Sequence, residues 1–257
     1  MLLHGDSETA WAPRRRSVPG ASALGAAAGS GTAADRRRGL RVVIVGSGRL
    51  ARVLGQRLVG AGHQVLFARE ESAARAVAPP GTQTATVNVD AVGTADVVVL
   101  AVSFGEAEAA LAECGPLDGT LVWSCVNATN ADGGGLAVGF DDSAAETMAR
   151  LVPGARVVAA LPPCPDVLAD PGLFGGVRPS TWVCGESRTD KSVVAGLLES
   201  VGVEPIDAGG LDAARLIEPA MMLVHRQANS VSPPRRLALR LVEQGWDQLD
   251  RPSSILT

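Results

Sequence analysis

Two glycines and an alanine at fixed spacing form the most informative motif of the chain. Residues 46–51 read Gly-Ser-Gly-Arg-Leu-Ala, which is the pattern G-x-G-x-x-A. In this pattern the first glycine permits a tight turn and the second lets the backbone approach a pyrophosphate, while the small third residue allows close packing of helix on strand. The motif therefore predicts a dinucleotide site built from Gly46, Ser47, Gly48, Arg49, Leu50 and Ala51.

The elements around this motif are those that position a dinucleotide. A β-branched run at residues 40–45 predicts a strand, and apolar residues with helical period follow it at positions 50, 53, 54 and 58. Residues 64–68 predict a second strand. A glycine turn that binds no nucleotide is the alternative, but the order strand, turn, helix, strand favours a dinucleotide.

The residue that follows the second predicted strand indicates which dinucleotide is bound. An NAD site places an acidic side chain there to accept from the ribose hydroxyl, whereas this chain has Arg69. A guanidinium can pair with a 2′-phosphate, so we predict NADP as the cofactor. Glu70 and Glu71 come next, and we interpret them as first-turn residues of the following helix.

Residues for acid–base or covalent catalysis are scarce. The chain has no tyrosine, and its only lysine is Lys191, which excludes Tyr/Lys dehydrogenase chemistry. His225 is either a proton donor or an exposed helix residue, and Cys164 is either a nucleophile or a packing residue. We assign no catalytic residue from the sequence. The four cysteines show no zinc spacing, so we expect no metal site and reduced thiols in the cytoplasm.

Charge and composition divide the chain into two parts. Residues 1–39 carry six arginines and three acidic residues, a net charge of +3, so the rest of the chain carries −7 because the total is −4. We predict that residues 1–39 are a disordered basic extension, and we weigh a twin-arginine export signal at residues 14–16 as the alternative. The acidic part argues against a nucleic-acid partner, and no apolar run is long enough to span a membrane.

Strand and helix patterns alternate along residues 40–257, which we predict to be one NADP-binding domain. Further strands are predicted at residues 95–102, 121–126, 156–161, 181–184 and 204–207, with helices between them. Two C-terminal helices are predicted at residues 211–228 and 234–247. The pattern predicts an α/β fold, a doubly wound and mostly parallel Rossmann sheet of about eight strands.

Several stretches beyond the glycine motif make the chain resemble one family, the NADPH-dependent reductases of the deazaflavin coenzyme F420. The resemblance runs from about residue 41 to residue 222. Its carriers, besides residues 46–51, are residues 61–65, 95–102, 143–146, 151–158, 183–185 and 207–219. It implies direct hydride transfer between nicotinamide and deazaflavin rings, a small-molecule acceptor and a homodimer.

The resemblance also implies roles for single residues. Val102 and Ser103 would line the nicotinamide-ribose edge, and Asn127 would lie where the strand at residues 121–126 ends. One departure concerns the acceptor side, because Pro162-Pro163 stands where the family commonly has a polar pair. Two other functions therefore stay open: reduction of another small acceptor such as an imine, and a non-catalytic NADP-binding or scaffold role.

Overall fold

The fold is an α/β sandwich around one eight-stranded sheet. The computed structural model describes residues 39–68, 83–85, 92–232 and 234–242. The strands are β1 (Arg41–Val45), β2 (Gln64–Ala68), β3 (Gln83–Ala85), β4 (Val97–Leu100), β5 (Leu121–Ser124), β6 (Arg156–Ala160), β7 (Ser180–Gly185) and β8 (Glu204–Gly209). Their spatial order is β3-β2-β1-β4-β5-β6-β7-β8, and all neighbours pair in parallel except β6 and β7. This order confirms the predicted doubly wound, mostly parallel Rossmann fold.

Helices connect the strands and cover the sheet. They are α1 (Arg49–Gly60), α2 (Phe104–Glu113), α3 (Ala144–Leu151), the short α4 (Pro165–Leu168), α5 (Arg188–Ser200) and α6 (Ala214–Ala228), the last preceded by a 3₁₀ turn (Leu211–Ala213). None of the helices among the described residues is long and apolar enough to cross a membrane.

Both faces of the sheet are buried in separate apolar clusters. Alternate residues of β1 contribute to each, with Val42 and Ile44 on one face and Val43 and Val45 on the other. Because successive side chains of a strand point to opposite faces, a strand covered on both sides has to be apolar throughout. This requirement explains the continuous apolar runs in the sequence. The parallel pairing of β1, β4, β5 and β6 places their carboxyl ends along one edge, where the site forms.

The sequence patterns located seven of the eight strands. The missing one is β3, a three-residue strand that pairs in parallel with β2. Its sequence, Gln-Thr-Ala, offers one small apolar side chain and no β-branched run that periodicity could detect. The predicted extension at residues 1–39 lies outside the described residues except for residue 39, so its disorder stays a prediction.

The predicted second C-terminal helix is wrong over residues 234–242, which form neither helix nor strand. The backbone N–H of Ser180 donates to the carbonyl of Leu239 at 2.8 Å, and Arg240 forms an ion pair with Glu204. Pro233 and Pro234 disfavour helical geometry in the residues just before them, and contacts with β7 and β8 then hold the irregular segment that follows. The first helix, predicted for residues 211–228, is confirmed as the 3₁₀ turn and α6.

Candidate functional site

The first glycine of the turn is required by the neighbouring strand. Gly46 has a φ of +139°, and a Cβ added to it would lie 2.2 Å from the carbonyl oxygen of Ala101. The chain can leave β1 this close to the end of β4 only if the residue lacks a side chain. Val102 lies on the other side of the same point, since its Cγ1 would be 3.4 Å from that Cβ. The carboxyl ends of β1 and β4 therefore meet here.

The second glycine leaves open space in front of a helix. Gly48 is the N-cap of α1 with an extended backbone (φ −69°, ψ 174°), and a Cβ added there would meet no protein atom within 4 Å. The first turn of α1 contains no acidic residue, so its partial positive charge is not offset within the helix. A cradle of this kind fits the pyrophosphate of NADP(H), because the backbone N–H groups and the helix dipole both favour an anion.

The last residues of the motif attach this helix to the core. Ala51 is fully buried and Leu50 is half-buried against the same apolar cluster as β1. A larger residue at position 51 would push the helix N-terminus away from the sheet. Ser47 is half-buried within the turn itself. The structure thus brings all six predicted motif residues together, and their contact with a cofactor stays a prediction.

Arg49 connects the glycine turn to the loop after β6. Its guanidinium forms a bidentate ion pair with Asp166 of α4, in which Nη1 donates to Oδ2 at 2.9 Å and Nη2 donates to Oδ1. Both side chains are about half exposed. Sequence reasoning placed Arg49 at the pyrophosphate but missed Asp166, since 117 residues separate the two.

Four predicted cofactor residues lie outside the glycine turn, namely Val102, Ser103, Asn127 and Arg69. Ser103 is the N-cap of α2, where its hydroxyl donates to the carboxylate of Glu106 at 2.8 Å. Val102 precedes it and is half-buried. Asn127 follows β5 and donates from Nδ2 to the carbonyl oxygen of Glu218 at 3.2 Å. Arg69 lies outside the described residues, so its role in binding the 2′-phosphate stays a prediction.

Glu218 is a buried carboxylate that joins three elements. It lies on α6, is only 3% exposed, and accepts hydrogen bonds from the backbone N–H groups of Ala128, Ala144 and Ala145 at 3.3, 2.9 and 3.1 Å. Burial raises the pKa of Glu218, and the three N–H donors oppose that rise. Its signal in the sequence is an acidic residue on the apolar face of a predicted helix.

A cleft of about 410 Å³ lies beside the glycine turn. The residues after β5 and β6, α6 and the segment 234–239 form its walls, and Arg49 lines it from the turn. Its lining residues include Asn127, Pro162, Pro163, Cys164, Asp166, His225 and Arg235. The glycine turn and the cleft therefore adjoin at the carboxyl ends of the strands, the edge where ligands of open α/β sheets bind.

A second cavity, of about 320 Å³, lies at the opposite edge of the sheet. Arg41, Gln64 and Ala95, at the amino ends of β1, β2 and β4, are among its lining residues. No part of the glycine turn lines it. The cofactor of a Rossmann sheet binds at the carboxyl ends of the strands, whereas this cavity lies at their amino ends. We therefore take the first cleft as the candidate site.

The cysteines differ in what their surroundings allow. All four are free thiols. Burial raises the pKa of Cys114 to about 11, with Glu113 adding to the rise, and burial likewise raises the pKa of Cys184 to about 12. These thiols stay protonated, as expected for packing residues. Cys125 and Cys164 line the cleft, but Cys125 is buried and burial raises its pKa, while no described basic side chain bonds to the more exposed Cys164. Within the described ranges no cluster of His, Cys, Asp and Glu could hold a metal ion.

Comparison with known proteins shows which family part of the chain is similar to. Residues 41–128 match the family model "NADP oxidoreductase coenzyme F420-dependent". A solved structure from Arthrobacter sp. FB24, assigned as an F420-dependent NADP reductase, is 26% identical, with a TM-score of 0.70 over 80% of this chain and 100% of that chain. An imine reductase from Pseudomonas sp. is 18% identical with a TM-score of 0.57 over 75% of this chain and 64% of that one, which shows a shared fold.

A curated relative extends the similarity to a larger protein. The metalloreductase STEAP3 of Rattus norvegicus is 28% identical over 204 residues, which are 78% of this chain and 40% of that protein. The chain thus spans less than half the length of this relative. The glycine turn, the cleft beside it and the matches agree: residues 41–128 of this chain are similar to the coenzyme F420-dependent NADP oxidoreductase family, and its fold is similar to that of the Arthrobacter protein.

Proposed function

We propose that this protein transfers a hydride directly between the nicotinamide of NADP(H) and a flat acceptor, for which coenzyme F420 is the best candidate. The observation that carries the proposal is the continuity of the glycine turn with the cleft, because Arg49 belongs to both. Two ring systems that exchange a hydride need adjoining sites at one strand edge.

The residues of the turn and of the neighbouring strand ends would hold the cofactor. Gly46 to Ala51 would hold the pyrophosphate, Arg69 the 2′-phosphate, and Val102 and Ser103 the edge of the nicotinamide ribose. When bound, the reduced nicotinamide supplies the hydride, and the acceptor takes a proton from solvent to complete its two-electron reduction. Asn127, fixed by its bond to Glu218, would border the reacting face.

The cleft is suited to positioning rather than to proton transfer. Pro162 and Pro163 are buried and lack backbone N–H groups, so they offer the acceptor a shaped wall without donors. Direct hydride transfer needs alignment of the rings and no acid or base on the protein. The same wall supports a second candidate function, the reduction of a small acceptor such as an imine. Pro162 and Pro163 replace the polar pair that would select a deazaflavin.

Anaerobic mixing of the purified protein with NADPH and oxidised F420 tests the proposal. We expect the deazaflavin absorbance to bleach in step with NADPH oxidation. A cyclic imine in place of F420 tests the second candidate. If calorimetry shows NADPH binding but neither acceptor is reduced, the proposal fails and a non-catalytic NADP-binding role takes its place.

We further propose a cytoplasmic homodimer that forms through α6. Leu216 and Leu223 lie seven residues apart on this helix and are 69% and 60% exposed, and an apolar groove beside them is lined by Trp182, Ala213 and Ile217. A second copy would bury this surface, as homodimer interfaces do. Light scattering should give the dimer mass for the native chain and the monomer mass for Leu216→Glu. The four free thiols support the cytoplasm.

A further inference from the structure

The cleft contains one arginine that no described acidic residue neutralises. Arg49 and Arg235 are the arginines that line it, and Asp166 is the acidic residue that lines it. Arg49 and Asp166 are committed to each other by their bidentate pair. Arg235 forms no ion pair with any residue between 92 and 242 that the structure describes. The wall of the cleft therefore carries a net positive charge at Arg235.

The backbone that carries Arg235 is fixed at both ends. The N–H of Arg235 donates to the carbonyl of Ala228, the last residue of α6, at 2.7 Å. Further on, the carbonyl of Leu239 accepts from Ser180, and Arg240 pairs with Glu204. The segment from Pro234 to Leu239 is thus a wall of the cleft that is attached to α6, β7 and β8.

The neighbouring arginine shows that this placement is specific. Arg236 does not line the cleft, and its Nη1 lies 3.9 Å from Oδ2 of Asp170. Of these two consecutive arginines, Arg235 lines the cleft and Arg236 lies near an acidic surface residue. Residues 40–257 carry a net charge of −7, against −4 for the whole chain, so the protein as a whole repels anions, and a cation in the cleft has to act locally.

We infer that Arg235 determines acceptor specificity by binding an anionic group, a carboxylate or a phosphate, on the molecule that occupies this cleft. A guanidinium pairs with either group through two parallel hydrogen bonds. The inference rests on the proposed function, in which this cleft holds the hydride acceptor. It narrows that acceptor to a flat molecule with an acidic substituent and disfavours neutral imines.

Two acceptors that share a ring system test the inference. Neutral 5-deazariboflavin and its 5′-phosphate are each reduced with NADPH anaerobically, using the native chain, Arg235→Gln and the matched control Arg236→Gln. We expect Arg235→Gln to raise KM for the phosphate about tenfold, as for loss of one charge-assisted pair, with little change for the neutral ring. Arg236→Gln should leave both values unchanged. Equal rises for both acceptors, or the same effect from Arg236→Gln, would overturn the inference.

Binding measurements separate this inference from the proposed function and from a phosphate of the cofactor. Calorimetry gives Kd of the oxidised 5′-phosphate and of the neutral ring for the NADP⁺-loaded protein. If Arg235→Gln weakens only the phosphate ester, the inference holds even when turnover is absent, and absent turnover then counts against hydride transfer alone. If Arg235→Gln weakens NADPH instead, the anion belongs to the cofactor and the inference is overturned.

Discussion

The guanidinium of Arg49 and the carboxylate of Asp166 form a bidentate pair between the glycine turn and the loop after β6. The pyrophosphate that we expect in front of α1 is a second anionic partner for the same guanidinium. Because the single positive charge of Arg49 would then be shared between two anions, we expect cofactor binding to weaken the ion pair with Asp166. Asp166 is thereby linked to cofactor affinity although it lies on the acceptor side.

Asp166→Asn should therefore bind NADPH more tightly than the native chain. The gain should be about two- to fivefold, because an exposed ion pair contributes at most about 1 kcal/mol. Titration of NADPH fluorescence at low and high salt measures it, and the difference between the proteins should shrink with salt. Asp170→Asn, which removes the charge paired with Arg236 but keeps an oxygen for the N–H of Gly172, is the control. A weaker Kd for Asp166→Asn would mean that Asp166 holds Arg49 in its binding position.

Gly46→Ala and Gly48→Ala should separate folding from cofactor binding. At Gly46 a side chain collides with the carbonyl of Ala101 and the φ of +139° disfavours any L-residue, so we expect a loss of roughly 2–5 kcal/mol in unfolding free energy. At Gly48 the backbone suits alanine and no protein atom is near, so stability should change by less than about 0.5 kcal/mol.

Only Gly48→Ala should act directly on the binding of NADPH. The added Cβ at residue 48 would occupy the space before the helix N-terminus, and Kd for NADPH should rise by about tenfold or more. Urea unfolding and calorimetry measure the two effects. A folded Gly48→Ala variant that binds NADPH as tightly as the native chain would place the pyrophosphate elsewhere.

These two glycines show what the sequence could predict and what it could not. The turn is local, so residue spacing alone gave its position and its neighbours. Asp166 and Glu218 act on residues 117 and 73–91 positions away, and no periodicity reports such contacts. In the C-terminal segment the leucines at 237, 239 and 241 alternate with period 2, as in an extended chain. The helical interpretation overlooked that signal. Contacts of Leu239 with β7 and of Arg240 with β8 hold the segment in a non-helical path.

Glu218→Gln should destabilise the fold although it removes a buried charge. Oε1 accepts from Ala145 and Oε2 from Ala128 and Ala144, so the NH₂ group of glutamine must face at least one N–H donor. Leaving such donors unpaired costs about 1–3 kcal/mol. Urea unfolding at pH 7 measures the loss, with the exposed Glu199→Gln as the control. A more stable Glu218→Gln variant would show that desolvation of the carboxylate outweighs its hydrogen bonds.

His63 should make stability depend on pH in a defined direction. Its Nδ1 accepts from the N–H of Leu40 at 3.2 Å and its Nε2 lies 3.3 Å from Oγ of Ser200, so the bonded ring is the neutral one. Burial lowers the pKa of His63 below its ordinary value near 6.5. The unfolded chain therefore takes up the proton first, and stability is full above about pH 6.5 and falls as pH drops toward the folded pKa.

Urea unfolding between pH 5 and 8 tests this prediction by comparing variants. The amide introduced by His63→Asn keeps an acceptor near the position of Nδ1 but cannot titrate, so the decline below about pH 6.5 should be reduced. The exposed His225→Asn variant should keep the native decline, since neither Leu40 nor Ser200 bonds to His225. If His63→Asn and the native chain lose stability in parallel as pH falls, another group is responsible for the decline.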